Sequence, residues 1–558
     1  MTNESAWSLV VRYTCYFGLA LMLAALPLSR FFMSVAQFML AGVFICEGID
    51  VRKISTLSSQ SSGKLRILTA LILPIKEGSM NLTTKLGRFF HNKPAWIFSS
   101  LLLIDIIGLL FTSDLVYGMK VLRNNLPLLL LPLFLSSFEK IPPRLFRLFL
   151  LIFATAVVAG SLNSTYLLII QDITDTRQIS PFIHHIRFSL MVCMAIFILA
   201  YYAFKIEETS GPVRIILILM LLWLVIYLFM LRSLSGIIAF FVTLVPVLLL
   251  TGLRTTSRRM KFLFGAMLVV IPLIIGCYVY LTVKNYTDAG PVEVERLDAF
   301  TPGGKVYVHD TTMGVEDGKF VGLYLCWPEV EENWNRRSRI PFDSLDHKGQ
   351  EIRYTLIRYL NSKDLRKDSA GVAALTGQDI NYVEHGIANV HDLKKFSVRN
   401  RIHHMVMDYQ TYRSTGAHAG SSTIERLEQG KAALHLVRRH WLTGVGTGDI
   451  RTSFHEAFRQ MNSPLQSANE GMFSAHNQFL TVLASYGFPG LIWFLFAILY
   501  PAIRKRSFSN YFFVTFFTIA MVSFLGDDTI NNQAGVTFFA FFYSLFVFSK
   551  KDTDHETI

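Results

Sequence analysis

The feature that most restricts this chain is the recurrence of apolar runs close to twenty residues long, from Trp7 to Phe548. As a helix rising ~1.5 Å per residue, such a run is ~30 Å long, the thickness of a bilayer's hydrocarbon core. A soluble fold would interleave apolar and polar positions with a helical or strand period. Hydrophobic residues make up 52% and charged residues 17%, so the bilayer is the main solvent. The runs predict helices near 8–27, 31–48, 95–112, 124–138, 147–170, 182–203, 212–230, 233–251, 262–282, 477–500, 509–525 and 534–549. About twelve spans put both ends of the chain on one side. The first run, Trp7 to Leu26, is followed by no small-residue cleavage site and reads as a retained span. Of the cysteines at 15, 46, 193, 277 and 326, only Cys326 lies outside a predicted span, so no disulfide framework is available.

The net charge of +13 is spread over short clusters between the runs, not over a phosphate-tracking patch, which argues against nucleic acid. The clusters are Arg52, Lys53, Lys64 and Arg66; Lys140, Arg144 and Arg147; Arg254, Arg258, Arg259 and Lys261; Arg504, Lys505 and Arg506; and Lys550 and Lys551. All lie on one side of the predicted spans, which the positive-inside rule makes cytoplasmic, together with both termini. Opposite them lies one long segment of about 190 residues, Lys284 to Ala475. The expected organisation is residues 1–283 with nine helices, a periplasmic loop over 284–475, and residues 476–558 with three helices. The loop predicts a hairpin, Lys305 to His309 with Lys319 to Cys326, turned through Glu316-Asp317-Gly318. It then predicts helices over Gln350 to Leu360 and Leu393 to Tyr412, and a third opened by Ser422 and Glu425 and running to about Arg439. The fold class is therefore an all-α polytopic membrane protein with a large mixed α+β loop.

Polar side chains at a membrane mouth cost free energy unless paired or facing a cavity, so they are candidates for function. Arg232 sits at a short outer turn, Leu231-Arg232-Ser233-Leu234-Ser235-Gly236, and Arg187 just inside the outer end of the sixth span. Either also fits an arginine snorkelling to lipid phosphate. Arg426 stands in the first turn of a loop helix, where a cation opposes the helix dipole, unless it is a solvated surface charge. His476 marks the point where the loop re-enters the membrane. A helix N-terminus favours the neutral imidazole a general base needs, although a backbone-bonded cap histidine is the plainer reading. Asp527-Asp528 reads as a pair solubilising an outer turn. His184-His185 and His403-His404 are adjacent and point apart on a helix, so no metal site is expected. Arginines are the natural means of neutralising a diphosphate without a metal, since the guanidinium fork binds phosphate oxygens bidentately.

With these residues in this order, the chain resembles the O-antigen ligase and O-antigen polymerase superfamily of integral-membrane glycosyltransferases. The resemblance rests on the hydropathy pattern, with its large outer loop ahead of the last three spans, and on three motifs. These are Leu231-Arg232-Ser233 at a span start; Arg426 ahead of Trp441-Leu442-Thr443-Gly444-Val445-Gly446-Thr447-Gly448; and His476-Asn477-Gln478-Phe479-Leu480 followed by Tyr486-Gly487-Phe488-Pro489-Gly490-Leu491. The resemblance implies a GT-C-type, cofactor-free, metal-independent, inverting enzyme. It implies that Arg232 and Arg426 bind the diphosphate of an undecaprenyl-diphosphate-linked glycan donor, with Arg187 an additional contact. Asn477 is implied as substrate-binding, and His476 as base or acceptor-orienting group. One departure is Leu427-Glu428-Gln429-Gly430, where the family often has an aromatic residue shortly after the loop arginine.

The expected reaction is glycan transfer to a hydroxyl of a lipid A–core sugar at the periplasmic face of the bacterial inner membrane. A polymerase or a protein O-glycan ligase would use the same chemistry. A transporter would show matched halves and broken helices with polar residues at mid-membrane, and the polar candidates here gather at one face.

Overall fold

The computed structural model describes residues 6–47, 82–170, 182–204, 210–231, 233–393, 398–415, 421–466 and 474–549. Arg232 and the charges at positions 52, 53, 64, 66, 550 and 551 lie outside the described residues. The chain divides into two compact units, one made of residues 1–265 and 425–558, the other of residues 266–424.

The first unit is helical: α1 (Ala6–Leu28), α2 (Arg30–Cys46), α3 (Leu82–His91), α4 (Lys93–Ser99), α5 (Leu101–Leu109), α6 (Leu115–Asn125), α7 (Pro127–Ser137), α8 (Pro143–Ile170), α9 (His185–Phe204), α10 (Gly211–Met230) and α11 (Leu234–Arg254). The helix α12 (Arg258–Thr287) runs from it into the second unit. Among the described residues, seven helices are long and apolar enough to cross a bilayer. An eighth counts if α3 and the Lys93–Leu109 stretch, bent by 94°, form one span. Three shorter apolar helices, α2 and two near the C-terminus, have 15 to 17 residues. The chain is a polytopic membrane protein, and the expected span over 124–138 is where the count falls short. Pro127 starts a new helix there, and α7 has 11 residues, ~16 Å of rise and about half a hydrocarbon core.

Why these helices pack follows from which faces they bury. On α10 the apolar residues Ile215, Ile216, Leu219, Leu222 and Ile226 are exposed, a face suited to lipid. Without a hydrophobic drive between helices in lipid, the inner faces rely on close packing and on paired polar atoms. The indole N–H of Trp223 donates to Ser161 Oγ (2.8 Å), that of Trp493 to Ser100 Oγ (2.9 Å), and the Tyr511 hydroxyl to the Phe197 carbonyl (3.0 Å). The C-terminal segment forms α18 (Ser422–Arg439), which starts in the second unit, then α19 (Ile450–Gln460), α20 (Gln478–Arg504), α21 (Tyr511–Gly526) and α22 (Gln533–Val547). The last of these is buried at every position from Ala534 to Val547. Phe98 stacks on its Tyr543 at 4.1 Å, and Phe153 meets its Phe542 edge-on at 4.9 Å.

In the second unit the expected hairpin is present, but its first strand is displaced from the expected Lys305–His309 toward the turn: β1 (Val308–Glu316) pairs antiparallel with β2 (Lys319–Leu325). Asp317 and Gly318 have φ of 53° and 71°, the positive values that a two-residue turn of matching twist requires. The helices α13 (Trp327–Arg337), α14 (Ile352–Ser362), α15 (Ser369–Ala373), α16 (Gly377–Glu384) and α17 (Val398–Thr415) follow. Trp334, Leu356, Tyr359, Leu360 and Val383 form the core. The expected helices over Gln350 to Leu360 and Leu393 to Tyr412 correspond to α14 and α17, with residues 394–397 outside the described set. The expected helix from Ser422 is α18, which ends at Arg439 as the sequence indicates.

Candidate functional site

The sequence around His476 dictates its posture. Asn477 caps α20, its side-chain oxygen accepting the Leu480 N–H at 3.1 Å. The residue before this cap turns the chain sharply, and His476 adopts φ of 45°. Left-handed backbone costs a side-chain-bearing residue about 1 kcal/mol or more and persists only where surroundings impose it. Here Asp528 does so by accepting the His476 backbone N–H at 3.0 Å, while its other oxygen accepts the Thr481 hydroxyl at 2.6 Å. The ring's Nδ1 lies 3.4 Å from Asp527 Oδ1, and no hydrogen-bond partner of Nε2 is found among the described residues.

Asp527 is the hub. Its Oδ2 lies 3.2 Å from Nη2 of Arg187, in the first turn of α9, both side chains being largely buried. Burial works to raise the Asp527 carboxyl. The His476 hydrogen bond and the charges of Arg187, His476 and Arg426 outweigh it and hold the group below the ordinary carboxylate range. Its neighbour Asp528 is pushed the other way, by burial first and by the Asp527 charge, against the opposing pull of Thr481 and His476. Burial also lowers His184, as do Arg187, Arg30 and His476, which face it. The cluster thus sets Asp527 and Asp528 among Arg187, Arg30, Arg426 and two histidines, and among the described residues the buried Nε atom of Arg187 has no hydrogen-bond partner. Guanidinium groups gathered in this way suit an anion such as a phosphate.

Of the residues proposed from sequence, His476 and Arg187 meet at Asp527, and Arg426, half-buried on α18, acts on the same carboxylate electrostatically. Asn477 uses both ends of its amide on the backbone, its nitrogen donating to the Leu525 carbonyl at 3.1 Å. Arg232 is not among the described residues; Ser233, which follows it, is buried and 2.9 Å from Ser189 of α9. Sequence reasoning missed the role of Asp527 and Asp528. Read as solubilising an outer turn, both are 5% exposed. The signal available was charge balance: an acid pair directly after an apolar run, on the face where the cations collect.

The glycine-rich stretch after Trp441 has a different task. The Val445 and Gly446 N–H groups donate to the carbonyls of Ala484 (3.0 Å) and Ser485 (2.9 Å). Gly444 has φ of 69°, and a Cβ there would lie 2.2 Å from the Ser485 carbonyl group. Gly487, at φ 67° and ψ −171°, breaks α20 where the Leu442 carbonyl presses against it. Thr447 Oγ donates to the Asp105 carbonyl at 2.7 Å, and Tyr486 and Asn125 donate to the Asp105 carboxylate at 2.6 and 2.8 Å. Asp449 completes this clamp by accepting the Ser113 and Asp114 N–H groups at 2.8 Å each. The motif therefore fastens the start of α19 to α5, α6 and α20, rather than cradling phosphate.

Burial would raise Asp449, but these backbone bonds hold it below its ordinary value. A depressed carboxyl stabilises the fold above its unfolded value of ~3.9 and loses that contribution as pH falls through the folded value. Asp449→Ala is accordingly expected to cost about 1–3 kcal/mol near pH 7. The gap from wild type should close in strong acid, as read by thermal unfolding of detergent-solubilised protein across pH. A gap that stays constant with pH would count against the charged clamp.

Residues 387–495 match the family model described as O-Antigen ligase. The match takes in Arg426, the glycine-rich clamp and His476, and ends before Asp527. No curated protein matches the chain. The apolar helices and this segment together make the chain a polytopic membrane protein whose residues 387–495 are similar to the O-antigen ligase family.

Proposed function

We propose that this protein transfers a glycan from undecaprenyl diphosphate to an acceptor hydroxyl, that of a lipid A–core sugar, at the periplasmic face of the inner membrane. The observation that carries the reading is the His476–Asp527–Arg187 arrangement, with Nδ1 of the histidine against a carboxylate and, among the described residues, no partner at its other ring nitrogen. In this reading Asp527 orients the imidazole, and Nε2 takes the proton of the attacking hydroxyl. The hydroxyl oxygen forms a bond to the anomeric carbon from the face opposite the diphosphate. The bond to the leaving oxygen breaks with inversion, and lipid diphosphate departs. Arg187, Arg426 and Arg232 stabilise the negative charge that develops on it, so the chemistry asks for no metal. Asn477 sets the position of His476 at the head of α20 and lies beside the substrate. The membrane arrangement belongs to the same reading: a GT-C-like bundle of about twelve crossings with cytoplasmic termini, organised as 1–283, a periplasmic 284–475 and 476–558. The Lys and Arg clusters between apolar runs support it.

The test is reconstitution of the purified protein with a lipid-linked glycan and a lipid A–core acceptor. Glycan appearing on the core with release of undecaprenyl diphosphate is the expected result. Extension of the lipid-linked glycan by further repeats, with the core unmodified, would replace the ligase reading by a polymerase.

A further inference from the structure

Away from the His476 cluster, α6 and the first turns of α19 wall an open groove of about 1200 Å³. The Asp449 clamp ties the start of α19 to the residues that open α6, so the two walls are held in register. On α6 the positions 116, 119, 120 and 123 recur at the spacing of one helical face. They are Val116, 86% exposed, Met119, 56% exposed, and the exposed cations Lys120 and Arg123. Across the groove Arg451 lies over the Tyr117 ring at 4.3 Å, with His455 one turn further along. Among the described residues, Lys120, Arg123 and Arg451 have no ion-pair partner. The one carboxylate on the lining, Asp114, is occupied in capping α6, accepting the Tyr117 N–H at 2.9 Å.

An exposed valine and methionine are costly in water, and unpaired cations are costly against hydrocarbon alone. A ligand that carries both an anion and an alkyl chain satisfies the two together. We propose that this groove binds an acidic membrane lipid, its phosphate held by Lys120, Arg123 and Arg451 and its upper acyl chain lying along Val116, Met119 and Leu122. The proposal does not rest on the transfer chemistry, because none of Arg187, Arg426, His476 and Asp527 lines the groove. It makes α6 an interfacial helix, consistent with its 11 residues being too few to span a bilayer.

The experiment uses the full chain in neutral detergent, titrated with phosphatidylglycerol, phosphatidylcholine or inorganic phosphate and read by native mass spectrometry. Phosphatidylglycerol is expected to saturate one site that phosphatidylcholine fills at least tenfold more weakly. The combined variant Lys120→Gln, Arg123→Gln, Arg451→Gln should weaken it on the order of 100-fold, given roughly 1 kcal/mol for each basic residue near an anionic lipid. Lys120→Glu alone, at an exposed position, should weaken it roughly tenfold. Equal affinity for the two lipids, unchanged binding by both variants, or displacement of the lipid by inorganic phosphate would each overturn the proposal.

Discussion

Replacing His476 by alanine is expected to lower glycan transfer by about 10²–10⁴-fold, the contribution of a positioned general base. The histidine has two separable attributes, a ring facing Asp527 and a left-handed backbone at φ 45°. Alanine removes the first and is strained by the second. Asparagine tolerates that backbone better, so His476→Asn should retain more stability than His476→Ala while losing the same activity. Initial rates of transfer in reconstituted vesicles, alongside melting temperatures, separate the two effects. Activity within a factor of a few of wild type in His476→Asn would remove the base from the mechanism and leave the residue as a helix-entry device.

The second large effect is expected at the ion pair. Asp527→Asn keeps the shape but removes the carboxylate that pairs with Arg187, leaving it beside Arg30 and His184 with only the less strongly acting Asp528 opposite. Breaking a buried pair from one side costs about 3 kcal/mol or more, because the remaining charge is stranded. Replacing both partners by uncharged groups is far better tolerated. Asp527→Asn should therefore depress both stability and transfer, whereas Arg187→Met combined with Asp527→Asn should recover stability and not transfer. A double variant that recovered both would mean that the pair only holds α9 against the end of α21. A single Asp527→Asn variant with wild-type stability would mean that water already screens the arginine.

What could be read from the sequence was decided mainly by range. The apolar runs were legible because a bilayer imposes its length on each helix independently, and α8, α9, α10, α11, α12 and α20 fall where the runs lie. The segment near 124–138 folds as a helix shorter than its apolar run, because apolar content alone does not register that Pro127 starts a fresh helix behind α6. The hairpin turn was legible because Asp317-Gly318 satisfies a local backbone demand. The site was half legible. Single cations at a membrane mouth stand out against apolar surroundings, so Arg187, Arg426 and His476 could be nominated from one-dimensional context. Asp527 and Asp528 could not, since their significance depends on burial against residues some fifty and more than three hundred positions away. The glycine-rich stretch presents the opposite difficulty. Its composition fits a phosphate loop as well as a clamp, and only the carbonyls of Ala484 and Ser485 lying opposite decide between them.

The burial of α22 constrains how such a molecule can be assembled. Its side chains fill the space between α1, α6, α7 and α21, yet of the described helices it is the last to leave the ribosome. Earlier helices must wait in the membrane with a slot between them that lipid tails or an insertion chaperone occupy. The bundle closes only when that placeholder is expelled. Synthesis and folding are thereby coupled in time, and nascent chains arrested before residue 533 should be the species that membrane quality-control proteases recognise.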